Sequence, residues 1–159
     1  MTTHTTTRPA RASDVPALRR IVEEIGLFPS ELLADMIAPF LDDPARDTLW
    51  LVAEAGGRPA GLCYAAHETM TEGTWNMRAL GIRPGDQRKG VGATLTAALE
   101  SALRDRGQRI LIVDTSSTDD FAIARAFYAR QSYREAARLP HFWAEGDDKV
   151  TFWKDLCAV

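Results

Sequence analysis

The sequence has little cysteine, no long apolar run and no excess of positive charge, and each of these absences excludes a class of protein. Its 159 residues contain two cysteines, Cys63 and Cys157, which are too far apart in sequence to indicate a disulfide framework or a metal site, so no metal is expected. No stretch approaches the ~20 consecutive apolar residues that span a bilayer, and the polar first residues do not resemble a signal peptide. The sequence therefore predicts a cytoplasmic protein with reduced thiols and no membrane partner.

The charge balance limits the choice of partners further. Lys and Arg number 19 against 22 Asp and Glu, a net charge of −3, whereas unspecific nucleic-acid binding needs a broad basic surface. Hydrophobic residues make up 45% and charged residues 26% of the chain, the balance of a folded globular protein. We expect one domain spanning residues 1–159 and no nucleic-acid partner.

What the sequence does contain is a short glycine-rich, basic stretch between two apolar segments. Residues 87–92 read Gln-Arg-Lys-Gly-Val-Gly. Residues 74–82 before them have the apolar content of a strand, and apolar residues recur at helical spacing from Val91 to Leu103. The predicted helix therefore begins at the glycines.

The start of that helix has the properties of an anion site. The first turn of a helix leaves backbone N–H groups without partners and carries the positive end of the helix dipole. Gly90 and Gly92 keep side chains away from those N–H groups, while Arg88 and Lys89 add positive charge. A solvated basic turn would have the same composition, so the stretch alone leaves a phosphate-bearing ligand and a plain turn both open.

The glycine pattern differs from two common phosphate loops and matches a third. It lacks the Gly-Lys-Ser/Thr run of a P-loop and the third glycine of the dinucleotide fingerprint. It resembles the acyl-CoA pyrophosphate loop of the GNAT superfamily of N-acyltransferases, whose pattern is Gln/Arg-x-x-Gly-x-Gly/Ala. Residues 124–128 followed by Ser132-Tyr133 resemble that family's second signature, which ends in Gly-Phe. The resemblance covers nearly the whole chain and implies acetyl-CoA or CoA as a co-substrate.

The predicted order of elements agrees with that resemblance. Residues 5–9 are predicted to form an edge strand. Ser13 is predicted to be the N-cap of a helix that ends at Gly26, and residues 56–57 are predicted to form a hairpin turn. Asp119 and Asp120 are the expected caps of the last helix. Residues 134–139 and 149–156 predict the last two strands, and residues 140–148 between them a turn-rich aromatic loop. The order β-α-α-β-β-β-α-β-α-β-β indicates an α+β GNAT fold with a mixed central sheet of about seven strands and about four helices.

Three positions depart from the family pattern. Phe121 stands where many members have an asparagine that bonds the pantetheine arm of the cofactor. Ser132 replaces a glycine, so either the serine adopts a positive φ or the turn differs. Asn76 occupies the position where many members have a glutamate base, and an amide cannot accept the proton, which leaves it a polar contact.

The resemblance also implies roles for individual residues. It assigns pantetheine binding and carbonyl polarisation to the backbone of the fourth strand, and the general acid for the thiolate to Tyr128. The spacing of the residues alone favours a different interpretation, in which residues 80–82 are part of a core strand and Tyr128 is a core tyrosine beside Phe127. Both interpretations stay open. The predicted cofactor-binding residues are Leu80, Gly81, Ile82, Gln87, Arg88, Lys89, Gly90, Val91, Gly92, Ala93, Phe121 and Tyr128.

The general base is not fixed by the sequence. Several carboxylates and imidazoles are available, and none is favoured by its spacing; a relay through bulk water is a further alternative. His141 is the histidine whose predicted loop, by family analogy, lies on the acceptor side, and histidines in general titrate near neutral pH. The candidates are Glu23, Glu24, His67, Glu68, Glu72, Asp114 and His141.

The sequence therefore predicts an N-acetyltransferase that moves an acetyl group from acetyl-CoA to a primary amine of a small molecule or a protein. Neither cysteine lies near the loop in sequence, which favours direct attack by the amine in a ternary complex. A catalytically silent acyl-CoA-binding or sensing module on the same fold, and a protein whose work is subunit association, remain as alternatives. The C-terminal strands offer a surface for pairing two subunits as a homodimer.

Overall fold

The computed structural model describes residues 4–157, and these form four helices and seven strands. The helices are α1 (Val15–Ile25), α2 (Leu33–Asp42), α3 (Val91–Asp105) and α4 (Ala122–Arg130). The strands are β1 (Thr5–Pro9), β2 (Thr48–Ala55), β3 (Arg58–His67), β4 (Thr74–Ile82), β5 (Ile110–Ser116), β6 (Arg134–Ala144) and β7 (Asp147–Asp155). Short 3-10 turns precede α1, α2 and α4, and another, Pro84–Asp86, follows β4.

The strands hydrogen-bond in the order β1-β2-β3-β4-β5-β7-β6. β4 and β5 run parallel, whereas β1–β2, β2–β3, β5–β7 and β6–β7 are antiparallel pairs, so the sheet is mixed. The α+β class, the mixed sheet and the predicted order of elements are confirmed.

One compact unit of the chain consists of residues 4–66 and 78–102. Its hairpin between β2 and β3 turns at Gly56 and Gly57, whose φ values of 61° and 77° suit glycine, as the sequence predicts. The apolar stripe of α1 is buried, and the helix ends at Gly26 in the left-handed conformation. Trp50, which is fully buried, stacks on Tyr64 of the neighbouring strand with ring centroids 4.4 Å apart. This core supports the strand and the turn that lead into α3.

A second compact unit consists of residues 67–77 and 103–157. In it β5 pairs with β7, and β7 pairs with β6. The first three residues of β4, Thr74–Asn76, pair in parallel with Ile110–Ile112 of β5. This parallel ladder ends at Asn76, although β4 itself continues to Ile82.

An ion-pair network joins β1, β2 and the start of α1. The Arg8 guanidinium donates to both carboxylate oxygens of Asp14, each at 2.7 Å, and its Nε donates to Glu54 Oε1 at 2.9 Å. Asp14 also accepts the backbone N–H of Arg11 at 2.7 Å. The hydrogen bonds from Arg8, with that of Arg11, hold the pKa of the buried Asp14 carboxyl below its usual range.

We expect Asp14→Asn to lower the free energy of unfolding by about 1–3 kcal/mol at pH 7, because the Arg8 guanidinium loses one of its two charged partners. A depressed folded-state pKa contributes stability above the unfolded value, near ~3.9, and this contribution is lost as the pH falls through the folded value. Urea unfolding should therefore show the difference from wild type shrinking below about pH 4.

Arg11→Ala is the control for this prediction. The Arg11 side chain is 63% exposed and lies 4.0 Å from Glu54, so its removal should change the free energy of unfolding by less than about 0.5 kcal/mol. An equal loss in both variants, or a loss in Asp14→Asn that persists in acid, would contradict the network's role.

The prediction of a loop at residues 140–148 is wrong. β6 continues to Ala144, a tight turn follows at residues 145–146, and β7 begins at Asp147. The register of the hairpin shifts between Leu139 and Ala144, and His141 in this interval has a φ of 53°. The segment is thus a bulged strand whose edge position tolerates Pro140, and its irregular spacing hid the strand pattern.

The predicted helix caps are also wrong. Ser13 lies inside the 3-10 turn Ala12–Asp14, and Asp14 stands at the N-cap of α1 without a side-chain capping bond. Asp119 and Asp120 lie inside a 3-10 turn, and Phe121 occupies the N-cap of α4. In both places a 3-10 turn tightens the entry to the helix and displaces the capping residue.

Ser132 adopts the first of the two alternatives that the sequence left open. Its φ is 69°, in the left-handed region that favours glycine. The turn that follows α4 keeps its hydrogen bonds, from Ser132 N–H to the Ala129 carbonyl at 3.1 Å and from Tyr133 N–H to the Tyr128 carbonyl at 3.0 Å. The serine therefore preserves the turn geometry at the cost of local strain.

Two features are absent from residues 4–157. No helix there has both the length and the apolar character that crossing a bilayer requires. The same residues hold no cluster of three or more His, Cys, Asp or Glu side chains suited to a metal ion.

Candidate functional site

The turn between β4 and α3 is fixed by short-range hydrogen bonds. Arg83 donates from Nε to the Asp86 carboxylate at 2.7 Å, and its backbone N–H donates to the Ala60 carbonyl at 2.8 Å. The charge of Arg83 is therefore balanced inside the turn. Arg88 and Lys89, which are exposed, are the basic side chains that remain beside the glycines.

The Gln87 side chain closes this turn. Its Nε2 donates to the Ile82 carbonyl at 3.1 Å and so ties the end of β4 to the residues before α3. Arg88 and Gly90 follow with φ values of 62° and 81°, so two of the three residues 88–90 have the left-handed conformation. Gly90 supplies this conformation without the strain that a side chain would add.

α3 begins at Val91 with its amide groups directed out of the helix end. A helix leaves its first N–H groups without intrahelical acceptors, and here these belong to Val91, Gly92 and Ala93. Thr94 donates from both N–H and Oγ1 to the Gly90 carbonyl, at 3.0 and 2.9 Å, which fixes the helix start. A fifteen-residue helix with these amides beside two cations is suited to an anion such as a diphosphate.

The glycine in the predicted cofactor strand has a packing reason. A Cβ built on Gly81 would lie 2.7 Å from Ile25 Cδ1 and 3.0 Å from Leu27 Cδ2, so these two side-chain ends would have to shift to admit it. A Cβ on Gly61 of β3 would lie 2.9 Å from the Gly81 carbonyl oxygen. Gly61 and Gly81 therefore pack closely within one unit, and Leu80 and Ile82, the neighbours of Gly81, are half-buried.

A buried polar group in the second unit joins three elements. Asn76, which is 7% exposed, donates from Nδ2 to Glu68 Oε1 at 3.0 Å and to Asp114 Oδ2 at 3.1 Å. The other oxygen of Asp114, Oδ1, accepts the Thr151 hydroxyl at 2.6 Å. The structure thus brings Asn76 together with two of the carboxylates that the sequence offered as bases. We call these four residues the Asn76 cluster.

Tyr128 lies in an aromatic cluster of the same unit. Its ring is 8% exposed and is 5.3 Å from Phe127, 6.0 Å from Tyr133 and 5.6 Å from Phe152, centroid to centroid. These contacts fix the ring, and therefore also the position of the phenol oxygen.

Phe121 and His141 have other partners. Phe121 is 46% exposed, and its backbone N–H donates to the Thr118 carbonyl at 3.1 Å. His141 Nδ1 accepts the Gly146 N–H at 2.8 Å, and His141 N–H donates to Asp148 Oδ1 at 3.0 Å. A neutral imidazole that accepts at Nδ1 carries its proton at Nε2, an arrangement that favours a structural role in the β6–β7 hairpin over proton abstraction.

Cys63 lies inside β3 and is fully buried. Burial raises the pKa of its thiol to about 12. A thiol that stays protonated at physiological pH is a poor nucleophile.

Sequence reasoning missed Thr151 and gave Glu68 and Asp114 no priority. The strand register explains their meeting: Asn76 pairs with Ile112, so Asp114 is two residues along the adjacent parallel strand. Glu68 follows because its N–H donates to the Thr74 carbonyl at 2.8 Å, which places it beside the start of β4.

Comparisons of this chain with a family model and with a known protein both point to acetyltransferases. The model of the Acetyltransferase (GNAT) family matches residues 16–133. Mycothiol acetyltransferase from Actinosynnema mirum is 32% identical over 112 residues, which cover 69% of this chain and 36% of that protein. The chain thus spans about a third of the length of this curated relative.

Solved structures agree in fold. A GNAT-family protein from Desulfovibrio desulfuricans superposes with a TM-score of 0.89 at 26% identity, covering 97% of this chain and 100% of that one. The protein yncA from Salmonella typhimurium, whose structure holds acetyl-CoA, has a TM-score of 0.78 at 18% identity, covering 98% and 96%. The family match includes the turn before α3 and Tyr128 and extends over well more than half of the sequence. The chain belongs to the GNAT family of acetyltransferases.

Proposed function

We propose that this acetyltransferase moves the acetyl group of acetyl-CoA to a primary amine by direct attack of the amine. The observation that supports the proposal is the start of α3, where backbone amides, two glycines and two exposed cations lie together on a hydrogen-bonded turn, an arrangement suited to an anion. The family's co-substrate carries a diphosphate, which is the anion that this site fits.

The diphosphate contacts are assigned to the backbone of residues 87–93 and to Arg88 and Lys89. Gln87 acts through the Ile82 carbonyl and holds the loop in place. The pantetheine arm is assigned to the backbone of Leu80, Gly81 and Ile82. The parallel ladder of β4 ends at Asn76, which supports this assignment because these residues lie beyond it.

The chemistry requires one bond to form and one to break. The neutral amine nitrogen attacks the thioester carbonyl carbon and loses one proton to solvent, the carbon–sulfur bond breaks, and the thiolate leaves. Tyr128 is assigned as the acid that protonates this thiolate. The buried, protonated Cys63 supports direct attack over an acyl-cysteine intermediate.

A panel of amines tests the proposal. The chain is incubated with acetyl-CoA and, separately, a small primary amine, an amino acid, a peptide with a free N-terminus and an N-blocked peptide with a lysine. Release of the CoA thiol that depends on the amine, with an acetylated acceptor by mass spectrometry, is the expected result. Acetyl-CoA binding without amine-dependent thiol release would contradict it and leave a binding module.

We also propose that the active form is a homodimer that uses β6. All eleven residues of this edge strand are exposed, and it presents Leu139, Phe142 and Trp143 at 44%, 49% and 49% exposure. An exposed edge with apolar side chains favours pairing with a second strand. Light scattering should give a dimer mass that Leu139→Lys converts to a monomer mass; a wild-type monomer at all concentrations would contradict it.

A further inference from the structure

We propose that Arg125 is a positioning residue of the transfer, because its guanidinium ties α4 to the end of β5 and so fixes the place of Tyr128. This inference rests on the proposed function, which assigns Tyr128 as the acid that protonates the thiolate. An acid must stay within hydrogen-bond reach of the atom that it protonates, and a misplacement of about 1 Å can slow a reaction about 10²-fold. A residue that fixes the helix of the acid therefore acts on turnover.

Arg125 bonds to two backbone carbonyl groups at once. Its Nη1 donates to the carbonyl of Ser116 at 2.7 Å and to that of Thr118 at 2.8 Å. Ser116 is the last residue of β5, and Thr118 lies in the connection to α4. Hydrogen bonds from an ionised donor are stronger than those between neutral groups. The guanidinium thus joins the first half of α4 to the end of this strand.

The connection that accepts these bonds is itself held in place. Ser116, which is 6% exposed, donates from Oγ to Asp147 Oδ1 at 2.5 Å, and the same Oγ accepts the Thr118 N–H at 3.0 Å. Ser117 N–H donates to the Asp148 carbonyl at 3.0 Å, and Asp148 N–H donates to the Ser117 hydroxyl oxygen at 2.8 Å. The connection is therefore bonded to the start of β7 and gives the guanidinium a fixed partner.

α4 needs an anchor because its own ends are weak. It has nine residues, whereas isolated helices shorter than about 12 residues are marginal in water. Its N-cap, Phe121, makes no side-chain capping hydrogen bond, and Ser132 beyond its end has a φ of 69°. Contacts with other elements must therefore fix where this helix lies.

Arg125 is placed to transmit this anchoring to the acid. Arg125 and Tyr128 are three residues apart on α4, so they are neighbours on one side of the helix. The aromatic cluster holds the tyrosine ring by apolar contacts, which are non-directional, whereas hydrogen bonds weaken steeply when they are misaligned. The bonds of Arg125 therefore restrict a sliding of the helix that the ring contacts alone would permit.

Arg125→Met is the first test, because it keeps the aliphatic stem and removes every donor of the side chain. With the amine acceptor found in the panel, kcat should fall about tenfold, while the Kd for acetyl-CoA and the KM for the amine change by less than about twofold. Arg125→Lys retains a cation with three donors and should keep at least about a third of the wild-type kcat. Arg130→Met removes an exposed arginine of the same helix and, as the matched control, should behave like wild type.

A double-variant cycle tests whether Arg125 acts through Tyr128. In the Tyr128→Phe background, Arg125→Met should change kcat by less than about twofold, because the acid that it positions is already gone. The same tenfold loss in both backgrounds would indicate a general structural role and would overturn the inference.

A spectroscopic measurement tests the position of the ring in the protein without substrate or cofactor. The chain has three tyrosines, so isotope labelling of the tyrosine rings gives few NMR signals, and the Tyr128 signal is identified by its loss in Tyr128→Phe. Arg125→Met should shift this signal, and Arg130→Met should leave it in place. An unshifted Tyr128 signal in Arg125→Met overturns the inference. If Arg125→Met does not fold, Arg125→Gln takes its place, and an unshifted signal with undiminished kcat there has the same meaning.

The outcomes separate this inference from the proposed function. Amine acetylation by wild type, with the kcat of Arg125→Met within about twofold of it, overturns the positioning role and leaves the function standing. Full turnover in Tyr128→Phe has the same consequence, since there is then no acid to position. Absence of transfer to every amine overturns the function and the inference together.

Discussion

Replacing Tyr128 by phenylalanine is expected to lower kcat by about 10²–10³-fold while leaving the Kd for acetyl-CoA unchanged. The departing thiolate must gain a proton to give CoA thiol, and removal of a general acid typically costs this much. The substitution keeps the ring that packs on Phe127, Tyr133 and Phe152, so the fold and the cofactor site should persist. Steady-state thiol release and calorimetry measure the two quantities.

Tyr133→Phe is the matched control for that prediction. Tyr133 is 4% exposed and belongs to the same aromatic cluster, so its variant loses a buried hydroxyl of the same kind. We expect turnover within about threefold of wild type. Full turnover in Tyr128→Phe, or equal losses in both variants, would remove Tyr128 from the mechanism.

Reversing the charge of both Arg88 and Lys89 to glutamate is expected to weaken acetyl-CoA binding by about 10²-fold. A charged hydrogen bond contributes about 1.5–3 kcal/mol, and each 1.4 kcal/mol changes the affinity tenfold. Both side chains are exposed, so solvent screening reduces the contribution of each. The wild-type affinity should also fall with added salt, and the variant's should fall less.

Arg19→Glu with Arg20→Glu is the control for charge alone. These two arginines are exposed on α1, and their reversal changes the net charge by the same amount. We expect less than a threefold change in Kd. Equal weakening in both double variants would mean that overall charge, rather than the turn before α3, attracts the ligand.

Much of the fold follows from local sequence. The bounds of β4 and the start of α3 agree with the apolar run at residues 74–82 and the helical spacing after Gly90. The turn at Gly56-Gly57 and the end of α1 at Gly26 follow from the conformational freedom of glycine. These features depend on neighbours within a few residues, so the sequence specifies them directly.

The Asn76 cluster could not be predicted in the same way. Its members come from positions 68, 76, 114 and 151, and they meet because of the order in which the strands pair. Long-range pairing decides which charges are available, and it depends on the register of the sheet.

The β6–β7 hairpin was misjudged for a related reason. An exposed edge strand need not alternate apolar and polar residues, so the segment around His141 lacks the pattern that indicates a strand. The hydrogen bonds of His141 with Gly146 and Asp148 hold the bulge. The histidine that suited a base by residue type is thereby used in the hairpin.

Calorimetry with two ligands tests most directly whether the start of α3 holds the diphosphate of the co-substrate. Acetyl-CoA and S-acetylpantetheine share the thioester and the pantetheine arm, and the second lacks the diphosphate and nucleotide. We expect measurable binding of acetyl-CoA and an affinity at least about 10²-fold weaker for S-acetylpantetheine, a difference of about 2.7 kcal/mol. No heat with acetyl-CoA, or equal affinity for the two ligands, would contradict it.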